Sequence, residues 1–324
     1  MTEFAIETIG LKKEFKSGSL GPIRRSPSVK ALQGVDFKVS TGENYCLLGP
    51  NGSGKTTLIR CILGLFEYEG SINILGYNMP KDRGKVISEI GYMPQEISLY
   101  PDLSVKETMH FFGKIFGVRK KEDRNEAVKK LLDIFLLKRW QKTIVENLSG
   151  GMKRRLSLAC SLIHNPKLII LDEPTVGVDP NLRISFWEYF KELNESGATI
   201  ITTTHIMDEA EKSRVIGFMR SGKLIAEGTY QELKKQVSGD RKLILITQEE
   251  DTNQIANLIN KEYNLKVLSQ KFKLEVFYND DSMVDNLLLF VRKYTKIRSI
   301  QTTEPNLEDT FIFFSRKSEE EIKK

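Results

Sequence analysis

The sequence predicts an α/β fold followed by a smaller α+β domain, and three observations support this prediction. The continuous apolar run KLIILDEP at 167–174 is typical of a parallel strand buried on both faces. Strand patterns such as ATIITTTH at 198–205 alternate with segments of helical periodicity, as in an α/β layer. Beyond residue 241, strand and helix patterns follow in the order βαββαβ, which is the ferredoxin-like unit.

The composition is that of an ordinary globular protein. A chain of 324 residues is long enough for two domains, and 40% hydrophobic with 28% charged residues is a common balance. No apolar run approaches the ~18 residues that span a bilayer, and the start MTEFAIETIG lacks the pattern of a signal peptide, so we expect the chain to stay in the cytosol.

The charge of the chain indicates which partners to expect, and its cysteines indicate the state of the thiols. The net charge of +6 comes from scattered basic residues without an aromatic and basic stripe, so we expect no nucleic-acid partner. Cys46, Cys61 and Cys160 lie in apolar surroundings without metal-type spacing. We therefore expect them to be reduced thiols of the core.

The N-terminal region, to about residue 90, contains mainly strands and turns. FAIETIG, LQGVDFKVS, NYCLLG and GSINILG are short apolar or alternating runs. Between the first two, the segment 16–30 (KSGSLGPIRRSPSVK) is rich in Ser, Gly, Pro and positive charge. This composition predicts a flexible loop.

A helical insert is predicted over about 96–165. Ser104 and Glu107 have the spacing of a capping box, so a helix should begin there. The apolar residues of EDRNEAVKKLLDIFLLK then fall on one helical face. A further helix is expected to begin at 150–151 and to end before Pro166.

These patterns predict two domains and a tail. The first domain is expected over 3–235, and it should end with a strand hairpin at 215–228 (VIGFMRSGKLIAEG). The boundary is expected near 236–241 (QVSGDR), and the second domain over 241–315. The remaining residues, 316–324, form a charged tail that we expect to fray.

The segment GPNGSGKTT matches the phosphate-binding loop, and it lies between the strand NYCLL and the apolar run TTLIRCILGL, which is the context that the motif requires. Its glycines let backbone N–H groups turn toward phosphates, Lys55 supplies positive charge, and the Thr56 hydroxyl can coordinate Mg²⁺. Thr57 is expected to contact the α-phosphate. The predicted ATP-binding residues of this loop are Gly49, Pro50, Asn51, Gly52, Ser53, Gly54, Lys55, Thr56 and Thr57.

Four further side chains are candidates for catalysis and metal binding. Asp172 and Glu173 end the apolar strand, where Asp172 could hold Mg²⁺ and Glu173 could polarise an attacking water. Gln95, in GYMPQE after a short strand, could ligate Mg²⁺ or orient water through its amide oxygen. His205 ends the strand ATIITTTH and could read the γ-phosphate by a hydrogen bond. Each of the four is also compatible with an ordinary structural role when considered alone.

The segment LSGGM at 148–152 has the features of a second, partial anion site. A serine and two glycines precede a predicted helix, where free N–H groups and the helix dipole favour an anion. A chain with a complete phosphate-binding loop has no evident need of a second one.

The complete set of motifs resembles the ATPase domains of ABC transporters. GPNGSGKTT, Gln95, LSGGM, LIILDEP, Asp179 in VGVDP and His205 occur in the order and spacing of that family over roughly residues 3–235. The resemblance implies an α/β P-loop NTPase with a RecA-like core, an antiparallel β subdomain and a helical signature subdomain. LSGGM, and EPNLEDTF at 304–311, resemble an exporter branch whose permease is often a separate chain and whose members often have a small C-terminal domain.

The resemblance explains the partial anion site, because in such ATPases two subunits bind two ATP molecules head to tail. Each ATP lies between the P-loop of one subunit and the LSGG segment of the other. The residues that would contact the γ-phosphate of the partner's nucleotide are Ser149, Gly150, Gly151 and Met152. Asp179 would link the two sites across the dimer. Phe15 in KKEFKSG would stack on adenine, although the 16–30 loop lengthens this region.

The resemblance also implies a separate transmembrane permease, at whose cytoplasmic face this chain would act as a homodimer or with a related ATPase subunit. Gln95 would contact the permease as well as Mg²⁺. Leu99, Tyr100 and Phe111 are candidates for the docking surface, with core packing as the alternative. ATP hydrolysis would then drive transport, with the exporter branch favouring export.

Other functions fit parts of the sequence. A soluble ABC-type ATPase acting on ribosomes or nucleic acid would share the motifs, but ribosome-acting relatives usually have two cassettes in one chain, and chromosome-acting relatives insert a long coiled coil. A P-loop kinase or GTPase leaves LSGG unexplained, and no NKxD motif is present. A non-hydrolysing regulator is disfavoured because the catalytic side chains are all in place.

Overall fold

The computed structural model describes residues 3–15, 28–236, 241–248, 252–278, 280, 282–303 and 306–323. The chain forms two compact units, Met1–Thr229 and Tyr230–Lys324. Most of the predicted loop at 16–30 lies outside the described residues, as do Glu304 and Pro305 of the string EPNLEDTF.

The first unit is built on two sheets. In chain order, its described strands are β1 (Phe4–Phe15), β2 (Val29–Ser40), β3 (Asn44–Leu48), β4 (Glu69–Ile74), β5 (Tyr77–Met79), β6 (Ile90–Met93), β7 (Leu168–Asp172), β8 (Thr199–Thr204), β9 (Val215–Arg220) and β10 (Lys223–Gly228). An antiparallel sheet has the order β2-β1-β4-β5, and a second sheet has the order β10-β9-β3-β8-β7-β6. In the second sheet, β9, β3, β8, β7 and β6 are parallel, and β10 is an antiparallel edge strand.

Helices connect these strands. In chain order, the described helices of the first unit are α1 (Lys55–Ile62), α2 (Arg83–Val86), α3 (Val105–Ile115), α4 (Lys121–Ile134), α5 (Gly150–Leu162), α6 (Pro180–Glu195) and α7 (Met207–Ala210). The predicted α/β fold is confirmed: every residue of β7 and β8 is buried, as expected of central parallel strands. The carboxyl ends of β3, β7 and β8 lie side by side, which brings the segments that follow them together.

The predicted helix starts of the insert are also confirmed. Ser104 caps α3, since its hydroxyl accepts from the Glu107 N–H at 3.2 Å and the Glu107 carboxylate accepts from the Ser104 N–H at 2.9 Å. Ser149 caps α5, which ends at Leu162, before Pro166. The buried faces of these helices pack with β7 and α6 in one hydrophobic cluster.

Strands β1 and β2 are longer than their sequence patterns predict. They pair as an antiparallel ribbon up to Phe15 opposite Val29, with several register irregularities. Pairing extends the strands beyond the alternating runs, because backbone hydrogen bonds do not require an apolar pattern. The ribbon packs with α1 and β3 in a second hydrophobic cluster.

The second unit contains a ferredoxin-like fold. In chain order its described elements are α8 (Tyr230–Gln236), β11 (Arg241–Thr247), α9 (Asn253–Tyr263), β12 (Val267–Gln270), β13 (Lys273–Tyr278), α10 (Ser282–Arg292), β14 (Ile297–Thr303) and α11 (Leu307–Lys323). The sheet order is β12-β13-β11-β14 and every pair is antiparallel. Leu243, Leu245, Leu274 and Val276 are buried with α9 and α10 on one face.

The second unit begins earlier in the chain than the sequence predicts, and its last helix ends later. Helix α8 packs against α11 and belongs to the second unit, whereas the predicted boundary at 236–241 follows it. The side chain of Leu233 in α8 is fully buried. The charged tail that was expected to fray continues α11 to Lys323.

The three cysteines are buried and unpaired, as predicted. Among the residues that the structure describes, none of the helices combines the length and apolarity needed to cross a bilayer.

Candidate active site

The phosphate-binding loop follows β3 and leads directly into α1. Gly54 stands before the helix with φ +106°, and a Cβ there would lie 2.7 Å from the Ala31 carbonyl oxygen, so only glycine fits. Lys55 is 5% exposed, and its Nζ donates to the carbonyl oxygens of Gly49 at 2.7 Å and Pro50 at 3.2 Å. Burial lowers the pKa of Lys55, opposed by the negative charges of Glu173 and Asp172. The loop therefore holds a buried cation against its own backbone carbonyls.

Asp172, the last residue of β7, faces the start of α1. Its Oδ1 accepts from the Thr56 hydroxyl at 3.3 Å and from the Thr203 hydroxyl, and the whole residue is buried. Its Oδ2 is buried without a hydrogen-bond partner, and burial raises the pKa of this carboxyl. Thr56 also lies 3.5 Å from the Gln95 Oε1, so a hydroxyl, an amide oxygen and a carboxylate converge. These are oxygen donors of the kind that Mg²⁺ prefers, and the Asp172 Oδ2, which has no hydrogen-bond partner, suits a metal ligand.

Glu173 is held in an uncommon backbone conformation. Its φ is +50°, in the left-handed region that residues other than glycine rarely adopt. Its N–H donates to the carbonyl and hydroxyl oxygens of Thr203 at 3.1 and 3.2 Å. Its carboxylate lies 3.3 Å from Gln95 Nε2 and 3.3 Å from His205 Nδ1. Glu173 is thus in contact with both of the other predicted catalytic residues, Gln95 and His205.

A cleft of about 460 Å³ extends from the phosphate-binding loop to Phe15. Phe15 is 38% exposed and packs edge-on against Phe66, with 5.4 Å between the ring centroids. The lining residues are Phe15, Val29, Lys30, Ala31, Gln33, Asn51, Gly52, Ser53, Gly54, Lys55, Thr56, Thr57, Gln95, Glu173, Ser221 and Gly222. The sequence did not predict that residues of β2 and of the β9–β10 turn line this cleft. They are far from the phosphate-binding loop in sequence, so no local pattern indicates that they lie beside it.

The residues of LSGGM are not part of this cleft in the described structure. Ser149 is exposed at the N-terminus of α5, and its hydroxyl accepts from the Met152 N–H at 3.3 Å. Gly150 is exposed and Gly151 is half-buried. Asp179 is exposed and caps α6 by accepting from the Asn181 N–H at 3.0 Å. One chain therefore brings the P-loop and the acidic residues together, while the LSGGM segment lies outside the lining of the cleft.

Two features of the site were missed by sequence reasoning. Arg154, on α5, is 8% exposed and donates to the backbone carbonyls of Glu173, of Pro174 at 3.1 Å and of Gln95 at 3.4 Å. Thr203 holds both Asp172 and Glu173, as described above. Two adjacent arginines in MKRRL give no indication of which one points inward, and a threonine inside a strand has no motif.

A second buried carboxylate lies behind the site. Glu209 of α7 is 2% exposed and accepts from the hydroxyls of Thr175 and of Thr204, the latter at 2.8 Å. Arg183 of α6 lies 3.8 Å away. These bonds connect the segments that follow β7 and β8, beside Glu173 and His205.

The aromatic residues after Gln95 form a partly exposed group. Tyr100 is 51% exposed and meets Phe111 edge-on at 4.8 Å between ring centroids. Leu99 is only partly exposed and packs on the core of the helical insert. Core packing, one of the two predicted alternatives, therefore holds for Leu99, while docking at Tyr100 and Phe111 stays a prediction.

Comparison with known proteins identifies the family. The family model described as ABC transporter matches residues 32–176. The linearmycin resistance ATP-binding protein LnrL of Bacillus subtilis (strain 168) is 36% identical over 287 residues, which are 87% of this chain and 92% of LnrL. The chain belongs to the ABC transporter ATP-binding proteins.

Two further relatives of this ABC ATPase and one solved structure belong to the same family. The Nod factor export ATP-binding protein I of Sinorhizobium fredii is 35% identical over 86% of this chain and 79% of its own. The probable multidrug ABC transporter ATP-binding protein YbhF of Escherichia coli (strain K12) is 42% identical over 65% of this chain, which spans 36% of the longer YbhF. A dimeric post-hydrolysis structure of the ATP-binding cassette MJ0796 bound to ADP and Pi has a TM-score of 0.63 and 26% identity, covering 69% of this chain and 98% of MJ0796.

Family membership establishes the activity of this ABC ATPase, which is ATP hydrolysis coupled to transport. It confirms the predicted P-loop NTPase fold as well.

Proposed function

We propose that this ABC ATPase binds MgATP between the P-loop of one copy and the LSGGM segment of a second subunit, and that hydrolysis drives a separate export permease. The observation that supports this most directly is the distribution of the motifs. Gln95, Asp172 and Glu173 meet at the P-loop, while Ser149 is exposed outside that cleft. Two half-sites on different surfaces of one chain suit a head-to-tail pair.

Within one half-site, each side chain has a distinct task. Lys55 and the loop N–H groups bind the β- and γ-phosphates, and Phe15, which borders the cleft, stacks on adenine. Glu173 polarises the attacking water, and His205, in contact with its carboxylate, donates a hydrogen bond to the γ-phosphate. Gln95 orients the same water through its amide group.

Thr56, Gln95 and Asp172 would hold Mg²⁺. When bound, this ion supplies positive charge that neutralises the charge developing on the phosphate oxygens. The protein contributes the orientation: Thr203 fixes Asp172, and the Asp172 Oδ2 has no competing hydrogen bond.

The opposing half-site consists of the N-terminus of α5. Ser149 and the N–H groups of Gly150 and Gly151 bind the γ-phosphate of the partner's nucleotide, since a helix N-terminus favours an anion. The Met152 N–H donates to the Ser149 hydroxyl at 3.3 Å, and the Met152 side chain is of little consequence because the serine hydroxyl and the glycine N–H groups supply the phosphate contacts. Asp179, exposed before α6, links the two sites across the dimer. The partner is a second copy or a related ATPase subunit.

The membrane partner is a permease on another polypeptide, and the ATPase acts at its cytoplasmic face. Relatives named for linearmycin resistance and Nod factor export support the export direction. The exposed ring of Tyr100, supported by Phe111, is a suitable contact for a permease helix because it follows Gln95 closely. ATP closes the dimer because it is bound more tightly by two subunits than by one, and hydrolysis removes this difference.

Replacing Glu173 with Gln tests the catalytic assignment. Glu173→Gln keeps the shape and loses the base, so we expect ATP binding to persist and turnover to fall about 10²–10⁴-fold. A stable ATP-dependent dimer should then accumulate, which size-exclusion chromatography with light scattering measures. Unchanged turnover in this variant would remove Glu173 as the base, and a strictly monomeric ATP-loaded variant would remove the composite site.

Replacing Ser149 with Arg tests the contribution in trans. Ser149→Arg places a large side chain at the exposed N-terminus of α5, so hydrolysis should fall by at least about tenfold while the monomer binds ATP normally. The measurements are steady-state turnover and fluorescent-nucleotide titration of the dilute monomer. Glu146→Arg, an equally exposed change just before this helix, is the control. Loss of ATP binding by the Ser149→Arg monomer would contradict the role in trans.

A further inference from the structure

Arg154 is a buried arginine whose guanidinium contacts backbone rather than a carboxylate. It lies on α5 and is 8% exposed. Its Nε donates to the Pro174 carbonyl at 3.1 Å, its Nη1 to the Gln95 carbonyl at 3.4 Å, and its Nη2 to the Glu173 carbonyl. One guanidinium thus connects α5 to the loop after β6 and to the loop after β7.

The geometry of these bonds requires arginine. Three donors of a planar guanidinium point to carbonyls from two different loops, and a lysine ammonium is a compact point charge that cannot span them. A buried cation is costly unless its hydrogen bonds are satisfied, so a purely structural position would be filled more favourably by an apolar side chain. The charge is instead placed within reach of the fields of Asp172, Glu173 and Glu209.

One of the three carbonyls that Arg154 binds belongs to a residue with a left-handed backbone. Glu173 has φ +50°, and its N–H is held by Thr203 at 3.1 Å. Arg154 donates a hydrogen bond to the backbone carbonyl of Glu173. Such a conformation persists only when its surroundings determine it fully. Releasing the carbonyl would let the backbone relax and move the Glu173 carboxylate away from Gln95 and His205.

The same helix begins at Ser149, which the proposed function places on the partner's ATP. Arg154 is five positions beyond Ser149, a rise of about 7.5 Å along the helix. The backbone hydrogen bonds of α5 make this segment rigid, so a shift at its first turn moves the guanidinium as well. We propose that Arg154 is a positioning residue that transmits occupancy of the LSGGM segment to Glu173 and Gln95 of its own chain, so that one composite site controls the other. This inference rests on the proposed roles of Ser149 and Glu173.

The first experiment compares Arg154→Gln and Arg154→Lys with Arg155→Gln in the full-length chain. Arg155 is the next residue of α5, but it donates to the Phe135 carbonyl at 3.2 Å, within the helical insert. We expect both Arg154 variants to bind ATP within about twofold of wild type and to lose about 10–100-fold in kcat, as for a misplaced reacting group. Arg155→Gln should retain wild-type kcat.

The conservative variant separates positioning from folding. Arg154→Lys keeps the charge, so a role limited to charge compensation or folding predicts rescue of kcat, whereas bridging of three carbonyls predicts none. Wild-type kcat in either Arg154 variant overturns the proposal, and so does a loss of ATP affinity that matches the loss of kcat. Should Arg154→Gln fail to fold, the ATP affinity and the kcat of Arg154→Lys alone decide between these outcomes.

Mixed dimers test transmission between the two sites. Two affinity tags isolate dimers in which one subunit carries Glu173→Gln, so that a single site hydrolyses ATP, and the dimer without further change is the reference. Arg154→Gln is then placed either on the subunit with the intact Glu173 or on the subunit that supplies Ser149 to that live site. We expect turnover to fall at least about fivefold in the first arrangement, where Arg154 and the intact Glu173 share a chain. In the second arrangement turnover should stay within about twofold of the reference, because the Glu173 of the altered chain is already replaced. Transmission itself is tested by Ser149→Arg on the subunit with the intact Glu173, since that Ser149 faces only the silent site, and we expect this change to lower turnover at the live site.

The outcomes distinguish the inference from the function on which it rests. Reference turnover in the first arrangement overturns the inference. A loss in the first arrangement together with reference turnover for Ser149→Arg on the same subunit reduces Arg154 to a local support and overturns transmission. If Glu173→Gln homodimers hydrolyse ATP normally, the proposed function fails instead. If they accumulate as ATP-bound dimers while Arg154→Gln is fully active, only the inference fails.

Discussion

At the scale of single residues, Glu173 shows how neighbours compensate for an unfavourable conformation. A left-handed backbone costs a residue other than glycine about 1–2 kcal/mol. Three hydrogen bonds to its main chain, two from the N–H to Thr203 and one from Arg154 to the carbonyl, offset that cost. The result is a carboxylate aimed at Gln95 and His205 rather than along the strand.

Glu209 provides a prediction about stability at this scale. Glu209→Ala would leave the hydroxyls of Thr175 and Thr204 buried without their acceptor, and we expect a loss of about 2–3 kcal/mol in the free energy of unfolding. This value rests on the two hydroxyls, because Arg183 Nε, at 3.8 Å from Glu209, lies beyond hydrogen-bond distance. Denaturant unfolding of the full chain measures the change.

The control for this variant is Glu211→Ala, an exposed position at the end of the same helix, which should stay within about 0.5 kcal/mol of wild type. Glu209→Gln keeps one acceptor oxygen and should lie between the two. Equal stability of Glu209→Ala and Glu211→Ala would show that the buried bonds contribute nothing.

At the scale of elements, α5 connects the surface to the core. Its N-terminus is exposed at Ser149, and just beyond its C-terminus His164 stacks on Phe116, with 4.6 Å between ring centroids. His164 Nε2 lies 3.2 Å from the Ile90 carbonyl, and its Nδ1 is buried without a partner. Burial lowers the pKa of His164 below its ordinary 6.5, partly opposed by Ile90 and Glu89.

This contact predicts a pH dependence of stability. Below pH about 6.5 the unfolded chain binds a proton at His164 that the folded chain does not, so the free energy of unfolding must fall as pH decreases through 6.5 toward the lowered pKa. His164→Phe keeps a ring against Phe116 and removes the titration. We therefore expect wild type to lose more stability than His164→Phe between pH 7.5 and pH 5.5, as measured by urea unfolding.

Phe116→Leu is the matched control, because it weakens the same packing without removing a titrating group. Its loss of stability should be nearly the same at both pH values. Parallel pH curves for wild type and His164→Phe would contradict the assignment of this dependence to His164.

At the scale of the whole molecule, the two compact units predict separable folding. Helix α8 packs on α11, and the Leu233 side chain is fully buried, so α8 should be part of any stable C-terminal fragment. A fragment of residues 230–324 should unfold cooperatively and be more stable than 241–324 by about 1–3 kcal/mol, the value of burying a leucine. Circular dichroism during thermal unfolding gives the comparison.

The matching N-terminal fragment, 1–229, should bind ATP with the affinity of the full chain, because the cleft residues all precede residue 229. A fragment 230–324 no more stable than 241–324 would show that α8 is not required by the second unit. A fragment 1–229 unable to bind ATP would show that the first unit depends on the second.

Much of this protein was readable from local patterns. Periods of hydrophobicity predicted β7, β8 and the helices of the insert, and the capping box at Ser104 located the start of α3, because these features depend on residues close in sequence. The phosphate-binding loop and the acidic pair after β7 were readable for the same reason. The ferredoxin-like order after residue 241 followed from the order of its elements.

The tertiary structure decided what no local pattern contains. That Arg154 rather than Arg155 reaches Glu173, that Thr203 holds Asp172, and that α8 belongs with α11 all depend on contacts between residues far apart in the chain. The sequence by itself determined the elements and the chemistry available at their ends. Packing decided which of those groups face one another, because a side chain's direction is set by the neighbours that exclude it from every other position.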